Sequence, residues 1–159
     1  MLTRNFMQMF GLSSGMGLSN TPAAVNTQGI EISVTTVSFG SSTTNMFGST
    51  YWEKSRFALG TGTTAPKSTD YKVETEITNG FDCSVLTKRY VQGADKDYIN
   101  ISGEITNNGS SDITFSEVGW YGFFKLNSNN YEAMLAREVL ENPITIKPGE
   151  SVAVNVKLI

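Results

Sequence analysis

The chain has 159 residues, enough for one domain with a hydrophobic core, and only 17% of them are charged. Its formal net charge of −3 and its scattered basic residues exclude the dense basic surface that nucleic acids and anionic membranes bind. It contains no histidine, the commonest general base and metal ligand, and its single cysteine rules out an intrachain disulfide and a multi-cysteine zinc site.

Residues 1–29 are predicted to form an extended arm that precedes the main domain. Four apolar residues in this arm recur at roughly helical spacing, namely Leu2, Phe6, Met9 and Phe10. Three glycines between positions 11 and 17 end any helix there. Two interpretations remain open: a short helix that caps this chain's own core, or an arm that docks on a neighbouring copy. In the second interpretation the four apolar residues are assembly contacts.

Residues 30–159 are predicted to form a single β-sandwich domain. With 17 Ser, 18 Thr, 13 Asn and 15 Gly, the composition favours strands and turns over helices. Alternating apolar and polar residues predict strands over residues 30–39, 51–59, 71–78, 83–91, 98–106, 113–125, 134–140 and 151–159. The run at 134–140 also fits a helix, but the strands around it favour a strand. The predicted fold class is all-β: an antiparallel β-sandwich, jelly-roll or immunoglobulin-like, with an N-terminal extended arm.

Two turns and one irregularity are predicted between these strands. Asn108-Gly109 predicts a tight hairpin turn, because this pair supplies the positive φ angles that such turns need. Pro148-Gly149 predicts the last turn of the chain. The apolar alternation shifts near Gly119, which predicts a bulge there.

Three segments resemble catalytic or ligand-binding motifs without meeting their requirements. The loop 62–68 has a proline where a phosphate-binding loop needs a glycine before its lysine. Residues 95–97 lack the rest of a calcium-binding loop and predict a surface turn. Glu74 and Glu76 share one face of a strand and are expected to point to solvent. We therefore predict no catalytic, cofactor-binding or metal-binding residue and no enzymatic activity, and expect Cys83 to be inert because no histidine can activate it.

Aromatic side chains occupy both faces of one predicted strand, at Trp120, Tyr121, Phe123 and Phe124. Large aromatic surfaces are unfavourable in water, so either both faces are buried within the sandwich or one face meets a partner. A core position is the default interpretation, and a subunit interface with Trp120 as an assembly contact is the alternative. An exposed tryptophan, either Trp52 or Trp120, would instead suit a module that stacks on sugars.

Four segments, in this order along the chain, resemble segments of bacteriophage tail, fibre and other virion proteins. The first is a GTGTTAP loop with a following aspartate, at Leu59–Pro66 and Asp70, and the second is an EVGWYG strand within Phe115–Gly122. The third is an MLAR strand at Met134–Arg137, and the fourth is the turn before the closing strand, at Ile146–Ser151. Each motif is short, and their specificity lies in the ordered set, which covers about residues 58–159.

This resemblance implies a non-enzymatic structural protein of a bacteriophage virion. We expect a capsid decoration, head-fibre or connector-associated component that acts through oligomeric assembly. A tail or baseplate accessory, or a receptor-binding module that takes a host-surface glycan, is the alternative. The implied partners are further copies of the chain, for example in a trimer, and other virion proteins, with no nucleic acid, membrane or cofactor. The expected location is the virion, assembled in the host cytoplasm, because no signal peptide or transmembrane segment is evident.

Glu117 and Arg137 each interrupt an apolar run, on strands that are expected to be neighbours. A charge placed in such a run is costly unless an opposite charge pairs with it. The two positions therefore predict a buried or half-buried ion pair with a structural role.

Overall fold

The computed structural model describes residues 1–6, 23–33, 55–93, 96–126 and 129–158. Within these ranges residues 4–6 are helical, and no helix is long and apolar enough to cross a membrane. The strands in the same ranges are β1 (Ala23–Val25), β2 (Glu31–Ser33), β3 (Arg56–Gly60), β4 (Glu76–Ile77), β5 (Phe81–Cys83), β6 (Thr87–Val91), β7 (Tyr98–Asn107), β8 (Ile113–Leu126), β9 (Asn129–Ile146) and β10 (Ser151–Leu158).

Antiparallel pairing joins the strands into two four-stranded sheets and a separate β1–β2 ribbon. The first sheet has the order β4-β3-β8-β9 and contains the two longest strands, β8 and β9. In the second sheet β7 is central. Strand β10 pairs along one side of β7, and β5 and β6 pair with successive parts of its other side.

The two sheets pack against each other through one face of each. From the first sheet, alternate residues of β3 and β8 are buried in the shared core, namely Phe57, Leu59, Val118 and Trp120. The second sheet supplies Ile101 and Ile105, with the partly buried valines of β10 packed against them. Each such side chain contributes roughly 1.5–3 kcal/mol by leaving water. The predicted all-β antiparallel sandwich is confirmed.

The outer face of the first sheet is also covered, by the loop of residues 61–75. A second buried cluster lies there, formed by Ala58, Val73, Tyr121 and Met134. The hydroxyl oxygen of Tyr121 accepts a hydrogen bond from the Val73 amide at 2.9 Å. Because both faces of β8 are buried, Trp120 on one face and its neighbour Tyr121 on the other are both shielded from water.

Four of the predicted strands have close counterparts in the structure. The runs 98–106, 113–125, 134–140 and 151–159 correspond to β7, β8, part of β9 and β10, so the ambiguous run in β9 is a strand. The run 83–91 is divided between β5 and β6, and only Glu76–Ile77 of the run 71–78 is a strand. Residues 34–39 and 51–54 of the first two predicted strands lie outside the described residues.

The hairpin turn predicted at Asn108-Gly109 is wrong, because β7 and β8 belong to different sheets. Gly109 does not have the positive φ that such a turn requires. The chain instead passes between the sheets around the buried side chain of Asn107. Its amide donates to the carbonyls of Ser111 (2.9 Å) and Ile146 (2.8 Å), and its oxygen accepts from the Gly109 amide (2.9 Å).

The bulge predicted at Gly119 is displaced in the structure. Gly119 pairs in regular register with Arg137, and the register shifts lie on either side, between Phe115 and Glu117 and between Trp120 and Tyr121. The glycine is required for another reason. A Cβ atom there would lie 2.8 Å from the Tyr121 ring and 2.9 Å from a methyl group of Val73. The final turn is as predicted, with Gly149 at a φ of 79° and a hydrogen bond from the Glu150 amide to the Lys147 carbonyl.

The predicted boundary between the arm and the sandwich falls within the β1–β2 ribbon. Residues 23–25 pair with residues 31–33 across that boundary. The beginning of the arm also belongs to the folded unit, because Leu2 forms an antiparallel bridge with Ala136 on the edge of β9 opposite β8.

Replacing Asn107 by alanine is expected to lower the free energy of unfolding by roughly 1–3 kcal/mol, because the buried carbonyl of Ile146 and the part-buried backbone groups of residues 109 and 111 lose their partner. Urea denaturation measures this loss. The matched control is Asn108→Ala, which removes an exposed side chain bonded to Asp82 and should change stability by less than about 0.5 kcal/mol. Equal effects of the two substitutions would refute the bridging role of Asn107.

Candidate functional site

The carboxylate of Glu117 lies completely buried on the outer face of the first sheet, beneath the 61–75 loop. Its Oε1 accepts hydrogen bonds from the amides of Gly62 and Glu74, both at 2.9 Å, and a longer one of 3.4 Å from the Thr75 amide. Its Oε2 accepts a hydrogen bond of 2.8 Å from Arg137 Nε. Several charge-assisted hydrogen bonds thus replace the water that this carboxylate loses on burial.

Arg137 is the cationic centre of the same cluster, and its side chain is 2% exposed. Its Nη1 lies 2.8 Å from Asp70 Oδ2, and its Nη2 lies 3.6 Å from Glu74 Oε1. Nη2 also lies 2.8 Å from Glu117 Oε2, but it is not aligned for a hydrogen bond and contributes charge alone. Burial by itself lowers the pKa of this guanidinium, but the bonds to Asp70 and Glu117 outweigh it and raise the pKa.

Two glycines make room for the buried carboxylate. Gly60 is the cross-strand neighbour of Glu117, and a Cβ atom on Gly60 would overlap Glu117 Oε1. A Cβ atom on Gly62 would lie 2.6 Å from that same oxygen and would also overlap Glu74 Oε2. The Gly-Thr-Gly sequence is therefore explained by the volume of the carboxylate and its bonds to the loop backbone.

Further bonds hold the 61–75 loop in place around this cluster. Ser116 Oγ donates to the Gly62 carbonyl at 3.0 Å, and the Thr61 amide donates to the Thr75 carbonyl at 3.0 Å. Asp70 Oδ2, besides its contact with Arg137, accepts a hydrogen bond of 2.8 Å from the Lys67 amide. The predicted pair of Glu117 and Arg137 is thus present as the centre of a larger network. The sequence did not indicate that Asp70 and Glu74 belong to it.

A second cluster on the outer face is built around Arg56. Its Nε lies 2.8 Å from Glu132 Oε1 and its Nη1 lies 2.9 Å from Glu76 Oε1, while the guanidinium lies 4.7 Å from the centre of the Tyr121 ring. Glu74 precedes strand β4, which contains Glu76, and the two carboxylates contact different arginines. The prediction that both lie on one face of a strand is therefore wrong, and each carboxylate pairs with an arginine instead of pointing freely into solvent. Burial raises the pKa of the Tyr121 hydroxyl, which keeps it protonated.

The proposed assembly contacts lie in different surroundings. Leu2 and Phe6 are half-buried against the core of their own chain, with the Phe6 ring 6.2 Å from that of Trp120. Trp120 is 1% exposed and its ring faces the second sheet, so the default interpretation of a core position is confirmed and the alternative of Trp120 on an exposed interface surface is corrected. Met9 and Phe10 lie outside the described residues.

Three further features could in principle support catalysis or ligand binding: the cysteine, clusters of metal-binding side chains, and a surface groove. Cys83 is half-buried, and burial raises the pKa of its thiol, which disfavours the reactive thiolate. Among the residues that the structure describes, no group of three or more carboxylate, cysteine or histidine side chains could hold a metal ion. An apolar groove of about 740 Å³ lies between β9 and β10, lined by residues that include Leu2, Leu140, Val154 and Val156.

Comparisons with protein families, with curated proteins and with solved structures found no match for this chain.

Replacing Glu117 by glutamine is expected to lower the free energy of unfolding by roughly 3–5 kcal/mol, because it removes the buried negative charge that compensates the guanidinium of Arg137. The control is Glu138→Gln, on the next residue of β9, whose carboxylate is 63% exposed and should contribute less than about 1 kcal/mol. Chemical denaturation of both variants makes the comparison. A loss for Glu117→Gln no larger than for Glu138→Gln would show that the buried pair is not structural.

Replacing Gly60 by alanine is expected to cost roughly 1–3 kcal/mol, because the new methyl group overlaps the Glu117 carboxylate. Thermal unfolding measures the loss, and Thr61→Ala, at an exposed neighbour, is the matched control. The same Gly60→Ala change made in a Glu117→Ala background should cost less, since the obstructing atoms are gone. An undiminished cost there would mean that Gly60 is needed for some other reason.

Proposed function

We propose that this chain is a non-enzymatic structural protein of a bacteriophage virion, most consistent with a capsid decoration, head-fibre or connector-associated component. It acts by assembling with further copies and with other virion proteins. Two lines of support are the resemblance of an ordered set of motifs to segments of phage virion proteins and the way in which three of those motifs meet in space.

The observation that carries the proposal is the convergence of these motifs on one buried ion network. The glycine loop supplies Gly60, Gly62 and Asp70, the EVGWYG strand supplies Glu117, and the MLAR strand supplies Arg137. Every charge at the centre of the network is engaged in holding the loop on the sheet. The motif residues therefore have a structural explanation that needs no substrate.

The burial of this network separates it from the usual arrangement of an active site. A catalytic carboxylate must reach a substrate, and sites that bind substrates are clefts with a few accessible polar groups. Glu117 and Arg137 are 0% and 2% exposed and lie beneath a loop that their own bonds hold closed. Such a cluster supports a rigid protein surface in preference to a reaction.

The alternative, a glycan-binding module, loses its two best described candidates. Trp120 and Tyr121 are both buried, so neither ring can stack on a sugar without unpacking the protein. Trp52 lies outside the described residues. A tail or baseplate accessory needs the same rigid sandwich as a capsid decoration. The two differ in their location on the virion and in their copy number.

Fractionation of the particles of the phage that encodes this chain tests the proposal. Quantitative mass spectrometry of gradient-purified virions should find the chain at a fixed ratio to the major capsid protein. A ratio near one favours decoration of the capsid, and a ratio of a few copies per particle favours a connector, tail or baseplate position. Absence from purified particles, with the chain left in the soluble lysate, would refute the proposed function.

A further inference from the structure

The edge of β9 opposite β8 binds the first residues of the chain as an added strand. The Thr3 amide donates to the Leu135 carbonyl and the Arg137 amide donates to the Met1 carbonyl, both at 2.9 Å. Leu2 and Ala136 face each other between these two bonds, which makes them a non-hydrogen-bonded antiparallel pair with closely spaced side chains. This is the geometry by which sheet edges bind peptides.

Two buried polar side chains make this docking specific for its sequence. Thr3 is 1% exposed, and its hydroxyl donates to the Met134 carbonyl at 2.6 Å. Asn5 is 3% exposed and binds Val25 in both directions, with its amide donating to the Val25 carbonyl and its oxygen accepting from the Val25 amide, both at 2.7 Å. The site thus recognises a segment with a threonine and an asparagine two residues apart.

The length of the connection allows this segment to serve a second copy. Asn5 and Val25 are in contact, yet sixteen residues, 7–22, lie between Phe6 and Ala23. A chain of that length spans at most about 55 Å, and a compact domain of this size is only about 40 Å across. The connection is therefore much longer than docking on its own chain requires, and long enough to reach the same site on a neighbour.

We propose that copies of this chain assemble by exchanging residues 1–6, each copy adding its N-terminal segment to the β9 edge of the next. This inference rests on the proposed self-assembly and names the contact that performs it. The bonds formed are the same within one chain and between chains, so exchange adds connectivity at little cost in contacts. In the exchanged arrangement, the Phe6 ring of one copy would pack beside the buried Trp120 ring of the next, so Trp120 would contact a neighbour without being exposed.

Disulfide trapping tests the exchange. In a Cys83→Ser background, one chain carries Leu2→Cys and a second, tagged chain carries Ala136→Cys, so that neither can close the bridge by itself. After co-expression, assembly and mild oxidation, the proposal predicts a disulfide-linked dimer of tagged and untagged chains. The control pairs Leu2→Cys with Val85→Cys, at a position 70% exposed, and should not link.

A disulfide that forms only when both cysteines are in one chain would overturn the exchange. If light scattering then still shows an oligomer, self-assembly survives through another surface; if it shows a monomer of 17.3 kDa, proposed self-assembly fails as well. The unmodified protein gives an independent readout. In a sample of labelled and unlabelled chains assembled together, exchange predicts intermolecular nuclear Overhauser effects between Phe6 and Trp120, and their confinement to single chains would refute it.

Discussion

The carboxylate of Glu117 is buried on the sheet, out of reach of bulk solvent. Much of the surrounding architecture follows from its need for hydrogen-bond donors and a positive charge supplied by the protein. Its two oxygens require donors from opposite sides. The amides of Gly62 and Glu74 provide one set and Arg137 provides the other. To bring those amides within 2.9 Å, the 61–75 loop must lie flat on the sheet, and this places Val73 over Tyr121 and closes the outer face of β8.

Arg137 connects this network to the edge of the sheet. Its side chain holds the loop, while its amide and carbonyl bind the backbone of Met1. The 61–75 loop, the sheet and the N-terminal segment therefore all contact Arg137. A substitution that shifts the Arg137 side chain should also weaken the docking of the N-terminal segment on the β9 edge. This link gives a physical reason for the buried charge cluster to influence how firmly the N-terminal segment docks on the β9 edge.

The sequence predicted the features that depend on local alternation of apolar and polar residues. It missed the contacts that side chains make with backbone groups far away along the chain. Strands β7, β8 and β10 follow from their apolar periodicity, and the ion pair follows from two charges that interrupt apolar runs. The role of the loop was hidden, because Glu117 binds amides 43 and 55 residues away and an amide carries no residue-specific signal. Asn108-Gly109 misled for a related reason: its turn chemistry is local, whereas Asn107 bonds to the carbonyl of Ile146, 39 residues away.

Native-state hydrogen exchange at the amides of Gly62 and Glu74 tests the central claim most directly. Neither amide lies in a strand, so both would exchange quickly if the 61–75 loop were an ordinary surface loop. If the buried carboxylate of Glu117 holds them, both should exchange as slowly as core amides of β8, while the more weakly bonded amide of Thr64 exchanges faster. Fast exchange at Gly62 and Glu74, equal to that at Thr64, would contradict the account.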